Sequence, residues 1–200
     1  VWSSKDTLGD TIGSDEDILV VRSSDYGQTW SLPQALNTDA ASDDVFGHDE
    51  HPGIATDGAG SWVAVWQGLP QGLTGDREIL VSRCNDNGAS WSPLSVLNLN
   101  AATDTGDDAE VVLAAGAAGH FVALWRSDDD LGGTAGTDLD LLTAVSLNSG
   151  LNWSQPALAH SSATTDSGND WAPALAADGA GAWVAVWESF SDLGATIETD

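Results

Sequence analysis

The octapeptide "SSDYGQTW" (residues 23–30) decides the fold, because it is not alone. It returns as "CNDNGASW" (84–91) and "SLNSGLNW" (146–153), and the closing Trp30, Trp91 and Trp153 fall 61 and 62 residues apart. A second string keeps the same interval: "DGAGSWVAVW" (57–66), "AGAAGHFVALW" (115–125) and "DGAGAWVAVW" (178–187). Two independent strings on one period identify a repeat protein. The residues that persist say what the octapeptide does. Gly27, Gly88 and Gly150 supply a positive φ, and Asp25, Asp86 and Asn148 accept backbone amides within a turn. Asn serves there as well as Asp, so geometry matters more than charge. The tryptophans are expected to pin the hairpin to its sheet. Tyr26, the only tyrosine, becomes Asn87 and Ser149 in the copies, which removes it as a catalytic partner of Asp25.

Each period holds four short β-type runs, for example "HPGIATD" (51–57), "SWVAVWQ" (61–67), "EILVSRC" (78–84) and "SWSPLSVLN" (90–98). They are rich in Val, Ile, Leu and Trp and are divided by Gly, Asp, Asn and Ser clusters. No segment carries a helical period. Four antiparallel strands per repeat predict an all-β chain folded as β-propeller blades. The chain then forms one segment, 1–200, with repeats at 1–64, 65–123 and 124–185 and the start of a fourth at 186–200. About three blades are expected. Propellers close with roughly four to eight, so a six-bladed ring is expected, completed by further chain or by pairing of two copies. With no Met, the chain is expected to be a processed product or a fragment.

The Ser-x-Asp-x-Gly-x-Thr-Trp pattern resembles the Asp-box, or bacterial neuraminidase repeat, of sialidase-like propellers. Ser23, Asp25, Gly27 and Trp30 match it in full. The second copy keeps Asp86, Gly88 and Trp91 with Cys84 in the serine position, and the third keeps Gly150 and Trp153 with Asn148 for Asp. The resemblance implies the fold and a structural role for these residues. For a working sialidase it further implies three arginines, one in an Arg-Ile-Pro string opening a first strand, with a Tyr/Glu nucleophile pair and an Asp acid/base. The first strands here open with "EHPGI" (50–54), "AEVVL" (109–113) and "WAPAL" (171–175), so Glu50, Ala109 and Trp171 stand where that arginine would be. Catalysis by this chain alone is therefore not expected.

With 31 acidic against 5 basic residues the net charge is -26. A field of that sign repels phosphate, which excludes nucleic acid and anionic membranes as partners. The longest apolar run, "VVLAAGAAGHFVALW" (111–125), is broken by Gly and His120 and is too short to span a bilayer. Cys84 has no partner for a disulfide, and its place in a hairpin predicts an inert thiol.

Alternating strands place the Asp-box turns and the "DGAG" turns at one end of each blade. The crossovers "NTDAASDDVFGHDE" (37–50), "NLNAATDTGDDAE" (98–110) and "HSSATTDSGND" (160–170) lie at the other. That acidic face is the expected ligand side. Arg22 and Arg83 precede Asp-boxes and belong to the wrong face, which leaves Lys5, Arg77 and Arg126. Trp171 could stack on a sugar ring there, with Arg126 as a second ligand-binding candidate. Oxygen-rich loops suit a hard cation such as Ca2+. The candidates are Asp43, Asp44, Asp49, Asp104, Asp107, Asp108 and Glu110, none with EF-hand spacing. His48 and His51 flank Asp49 and Glu50 as a weaker transition-metal pattern, whereas His120 and His160 read as ordinary residues. The function expected is a non-catalytic module of a secreted or surface protein, binding glycan or protein. The alternatives are a fragment of a sialidase or related glycoside hydrolase whose arginines lie elsewhere, and a structural scaffold.

Overall fold

A computed structural model of the chain describes residues 1–42, 48–70, 75–117, 119–136 and 138–191. Among these residues thirteen strands form four antiparallel sheets. The first holds β1 (Trp2–Ser4), β2 (Asp17–Val20) and β3 (Gln34–Ala35). The second runs β4 (Glu50–Thr56), β5 (Trp62–Gly68), β6 (Glu78–Cys84) and β7 (Ser95–Val96). The third runs β8 (Ala109–Ala115), β9 (Phe121–Ser127), β10 (Asp140–Ser146) and β11 (Ala157–Leu158). The last pairs β12 (Asp170–Ala177) with β13 (Trp183–Ser189). The only helical piece among the described residues is one 3₁₀ turn, Ser161–Thr164. None is long and apolar enough to cross a membrane. In each complete sheet every strand pairs with the next in sequence. These are propeller blades: two are complete and two partial.

The blades stack because their middle strands are apolar on both faces. In β5, Ala64 and Trp66 meet Ile18, Val20 and Leu36 of the first blade, whereas Val63 and Val65 join Phe121, Ala123 and Trp125 of the third. Strand period two thus divides one continuous apolar run between two interfaces. The fourth strands are shorter than the run 90–98 suggests. Pro33, Pro93 and Pro156 fall within the two residues before β3, β7 and β11, where a proline cannot donate to the ladder.

The three octapeptide turns share one hydrogen-bond pattern. Asp25 Oδ1 accepts from Thr29 N at 2.9 Å, and Ser23 Oγ accepts from Gly27 N at 2.9 Å. Cys84 takes over the serine's part: its Sγ lies 2.8 Å from both Asp86 Oδ1 and the Gly88 amide. Asn148 Oδ1 accepts from Asn152 N at 2.9 Å. Tyr26, Asn87 and Ser149 each have φ near +60°, just before the equally left-handed glycines. Tyr26 sits there fully exposed. The turns also bind the blades together: Arg22 Nε donates to Asn87 O at 2.6 Å, and Ser61 and Ser149 pair through their hydroxyls at 3.1 Å.

The tryptophans differ. Trp91 and Trp153 pack into the interfaces with the preceding blades, whereas Trp30, with no preceding blade among the described residues, is 61% exposed. Gly150 has φ +74°, and a Cβ there would lie 2.7 Å from Val63 Cγ2 of the neighbouring blade. Gly150→Ala is therefore expected to destabilise by about 2–4 kcal/mol, combining left-handed strain with overpacking. Gly27→Ala, at φ +81° with only Trp30 nearby, is expected to cost about 1–2 kcal/mol. Urea unfolding of both variants checks this. Equal losses would mean that the blades do not meet at Gly150.

Candidate functional site

Each inner strand begins on the crossover face with the same irregularity. A bulge follows Glu50 in β4, Ala109 in β8 and Trp171 in β12. The next residue, His51, Glu110 or Ala172, is a non-glycine at φ 52°, 55° and 47°. Three equivalent residues in a costly backbone region mark a place where side chains are deliberately re-aimed.

The re-aimed groups make a polar belt across three blades. Gln67 Nε2 reaches Glu50 Oε2 at 3.4 Å, and Gln67 Oε1 accepts from Glu110 N at 2.8 Å. Glu110 Oε1 pairs with Arg126 Nε at 3.0 Å, and its Oε2 accepts from Ala172 N at 3.1 Å. The Arg126 guanidinium lies 4.6 Å from the Trp171 ring centroid. Its side chain is only 17% exposed, so the cation–π contact and the ion pair together hold it in place. Arg126 and Trp171, candidates on adjacent blades, thus meet in one contact. Glu110 belongs to this belt through its partners, apart from the acidic residues beside it in sequence.

Behind the belt, the junctions between blades carry buried polar triads in repeat register. Asn98 accepts from Ile79 N at 3.1 Å and donates to Glu78 Oε2 at 2.5 Å and Asp108 Oδ2 at 2.7 Å. Asn37 similarly accepts from Ile18 N and donates to Asp17. In the third junction the position is His160, whose Nε2 is 2.7 Å from Asp170 Oδ2 and whose Nδ1 is 2.8 Å from Ser162 Oγ. Its ring also stacks on Trp187, so His160 has a clear structural place that its isolation in sequence hid.

Burial pushes Glu78 up to about 8, opposed by the Asn98 hydrogen bond and reinforced by the Asp104, Asp76 and Asp129 charges. It likewise lifts Asp104 and Asp140 to about 6, each helped by neighbouring aspartates. A carboxyl whose folded pKa exceeds its unfolded value weakens the fold as pH rises through that window, and the effect is complete above the folded value.

The remaining sequence candidates separate. Asp107 pairs with Arg77 at 3.2 Å on the surface. Asp108 is buried on Asn98, Asp49 is buried at the preceding equivalent position, and Asp104 joins Asp76 and Glu78. Asp43 and Asp44 lie outside the described residues. His48 Nδ1 turns to Glu16 at 3.8 Å, and His51 is exposed, so no metal-like group forms there among the described residues. The signal for Asp76, Glu78, Asp138, Asp140 and Asp166 was the repeat itself, which places acids at corresponding positions.

No family model matches the chain, and no curated protein matches it. Solved structures resemble it in fold. An α-L-arabinanase of Penicillium chrysogenum complexed with arabinobiose aligns with TM-score 0.58 and 16% identity, over 88% of this chain and 51% of that one. A GH93 α-L-arabinofuranosidase of Fusarium graminearum with arabinobiose aligns at 0.56 and 16%, over 86% and 48%. A Hadza microbial sialidase aligns at 0.50 and 19%, over 71% and 31%. The chain thus spans about half or less of each. At these identities the likeness shows the fold: a segment of the sialidase-like β-propeller that glycoside hydrolases use.

Proposed function

We propose that the chain belongs to a sialidase-like propeller module of a secreted or surface protein. It binds a neutral glycan on the belt formed by Glu50, Gln67, Glu110, Arg126 and Trp171, and these residues do not hydrolyse it. One observation carries this: Arg126, the only arginine on the belt among the described residues, is already committed to Glu110 and Trp171. A sugar carboxylate would have to displace Glu110, in a field of net charge -26. Neutral hydroxyls, by contrast, find carboxylate and amide acceptors beside an indole, the usual equipment of a carbohydrate site. The arabinobiose held by two structural neighbours supports the same ligand class.

Val184 and Val186 of β13 are well exposed. They offer the face on which a further blade, or a second copy of the chain, packs to close a six-bladed ring.

The glycosidase neighbours favour a second reading, in which catalytic arginines on other blades act with this segment in a hydrolase. A fluorogenic sialoside assay on the intact protein separates the two. The binding-module reading expects no turnover in wild type and none in Glu110→Gln, where Arg126 is freed. Turnover in wild type would establish the hydrolase.

A further inference from the structure

The belt leaves unexplained the acids packed behind it. Asp76 stands just before β6, Glu78 opens it, and Asp104 comes from the crossover after β7. One carboxylate oxygen of each lies within 4.8 Å of the others. One repeat later Asp138, Asp140 and Asp166 form the same group, again within 4.8 Å. Every member is 62 residues from its counterpart. Asp15 and Asp17 occupy the first two positions at the junction before, whose third position lies outside the described residues.

These carboxylates lack the partners that burial demands. Asp140 is 1% exposed, and neither of its oxygens has a hydrogen-bond partner. Glu78 is fully buried with Oε1 unpartnered, and both oxygens of Asp104 and of Asp166 are buried without partners. Among the described residues no lysine or arginine pairs with either triad, since Arg77 holds Asp107 and Arg126 holds Glu110. Three like charges converging in a low-dielectric site repel one another and raise each other's proton affinity. Buried ions are tolerated when they are paired or coordinate a metal.

We infer that each of these two junctions binds one divalent cation of the Ca2+ type, held by Asp76, Glu78 and Asp104 in one and by Asp138, Asp140 and Asp166 in the other. All three donors at each site are carboxylates, the choice of a hard cation. Ca2+ accepts flexible oxygen geometry, whereas Mg2+ demands a near-ideal octahedron and dehydrates reluctantly. Asn100 Oδ1, buried and unpartnered at the first of these junctions, offers a further oxygen. A depression of about 420 Å³, lined by Asn100, Asp104 and Asp129 among others, opens beside that junction. The neighbouring Asp140–His160–Asp170 group does not compete for the ion, because both His160 nitrogens are engaged and the residue fills the place of Asn98. The inference is independent of what the belt binds. Its consequence is structural: the ion ties the start of a third strand to the crossover that leads into the next blade.

The test is calorimetric titration of the intact, chelator-treated protein with CaCl2, followed by thermal melts. At least two Ca2+ per chain are expected, with Tm rising by about 10–20 °C at a Ca2+ concentration about 100 times Kd. Asp104→Asn should remove one equivalent, and Asp104→Asn with Asp166→Asn should remove two. Both variants relieve like-charge repulsion, so their metal-free melts should match or exceed wild type, which distinguishes lost binding from lost folding. Absence of Ca2+ binding by wild type, or an unchanged stoichiometry in the double variant, would overturn the inference.

Discussion

Trp125→Ala is expected to destabilise the protein by about 3–5 kcal/mol, the usual range for removing a fully buried aromatic. Trp125 is fully buried between the second and third blades, in the cluster that holds Val63, Val65, Ile79, Phe121 and Leu142. No small residue can collapse into that space, because both facing strands are fixed by their own sheets. Trp187 occupies the corresponding position of the last blade but is only half-buried, with His160 against its ring. Trp187→Ala should therefore cost about 1–2 kcal/mol, scaled to the apolar surface it removes from contact. Guanidinium unfolding followed by circular dichroism measures both. The stacking described above fails if Trp125→Ala costs no more than Trp187→Ala.

Asn98→Ala is expected to cost about 3–5 kcal/mol, comparable to breaking a buried charged pair. The residue is fully buried and satisfies a backbone amide and two carboxylates at once. Its loss strands Glu78 and Asp108 together, each without the donor that made burial tolerable. Asn98→His should recover part of the loss, since His160, at the equivalent position one repeat later, pairs with Asp170, the counterpart of Asp108. Denaturant midpoints of the two variants decide it. Equal destabilisation by Ala and His would mean that shape, rather than hydrogen bonding, governs the position.

The repeat, the all-β character and the opposition of the two faces were all legible in residue spacing, because strand period and turn chemistry act locally. The chemistry of the acidic face was not. Reading along the chain groups Asp104, Asp107, Asp108 and Glu110 as one loop, yet the structure sends them to four different partners. Asp104 meets Asp76 and Glu78, Asp107 meets Arg77, Asp108 meets Asn98, and Glu110 meets Arg126. A crossover entering a bulged strand turns successive side chains in different directions, so neighbours in sequence do not share a site. Comparison between repeats, which pairs Asp76 with Asp138 and Glu78 with Asp140, carries the information that proximity along the chain lacks. The contact of Arg126 with Trp171 joins two blades, so the strands of one blade alone do not reveal it. The exposure of Trp30 beside buried Trp153 has the same origin: identical local motifs acquire different burial from their neighbours.

The central claim, recognition of neutral sugars by the belt, is tested most directly on a glycan array probed with the intact protein and with Trp171→Ala. Wild type is expected to retain neutral oligosaccharides and pass over sialylated ones, and the variant to lose at least about tenfold in retention, the loss expected when an aromatic anchor is removed. Preference for sialylated glycans, or retention of neutral ones undiminished by Trp171→Ala, would contradict it.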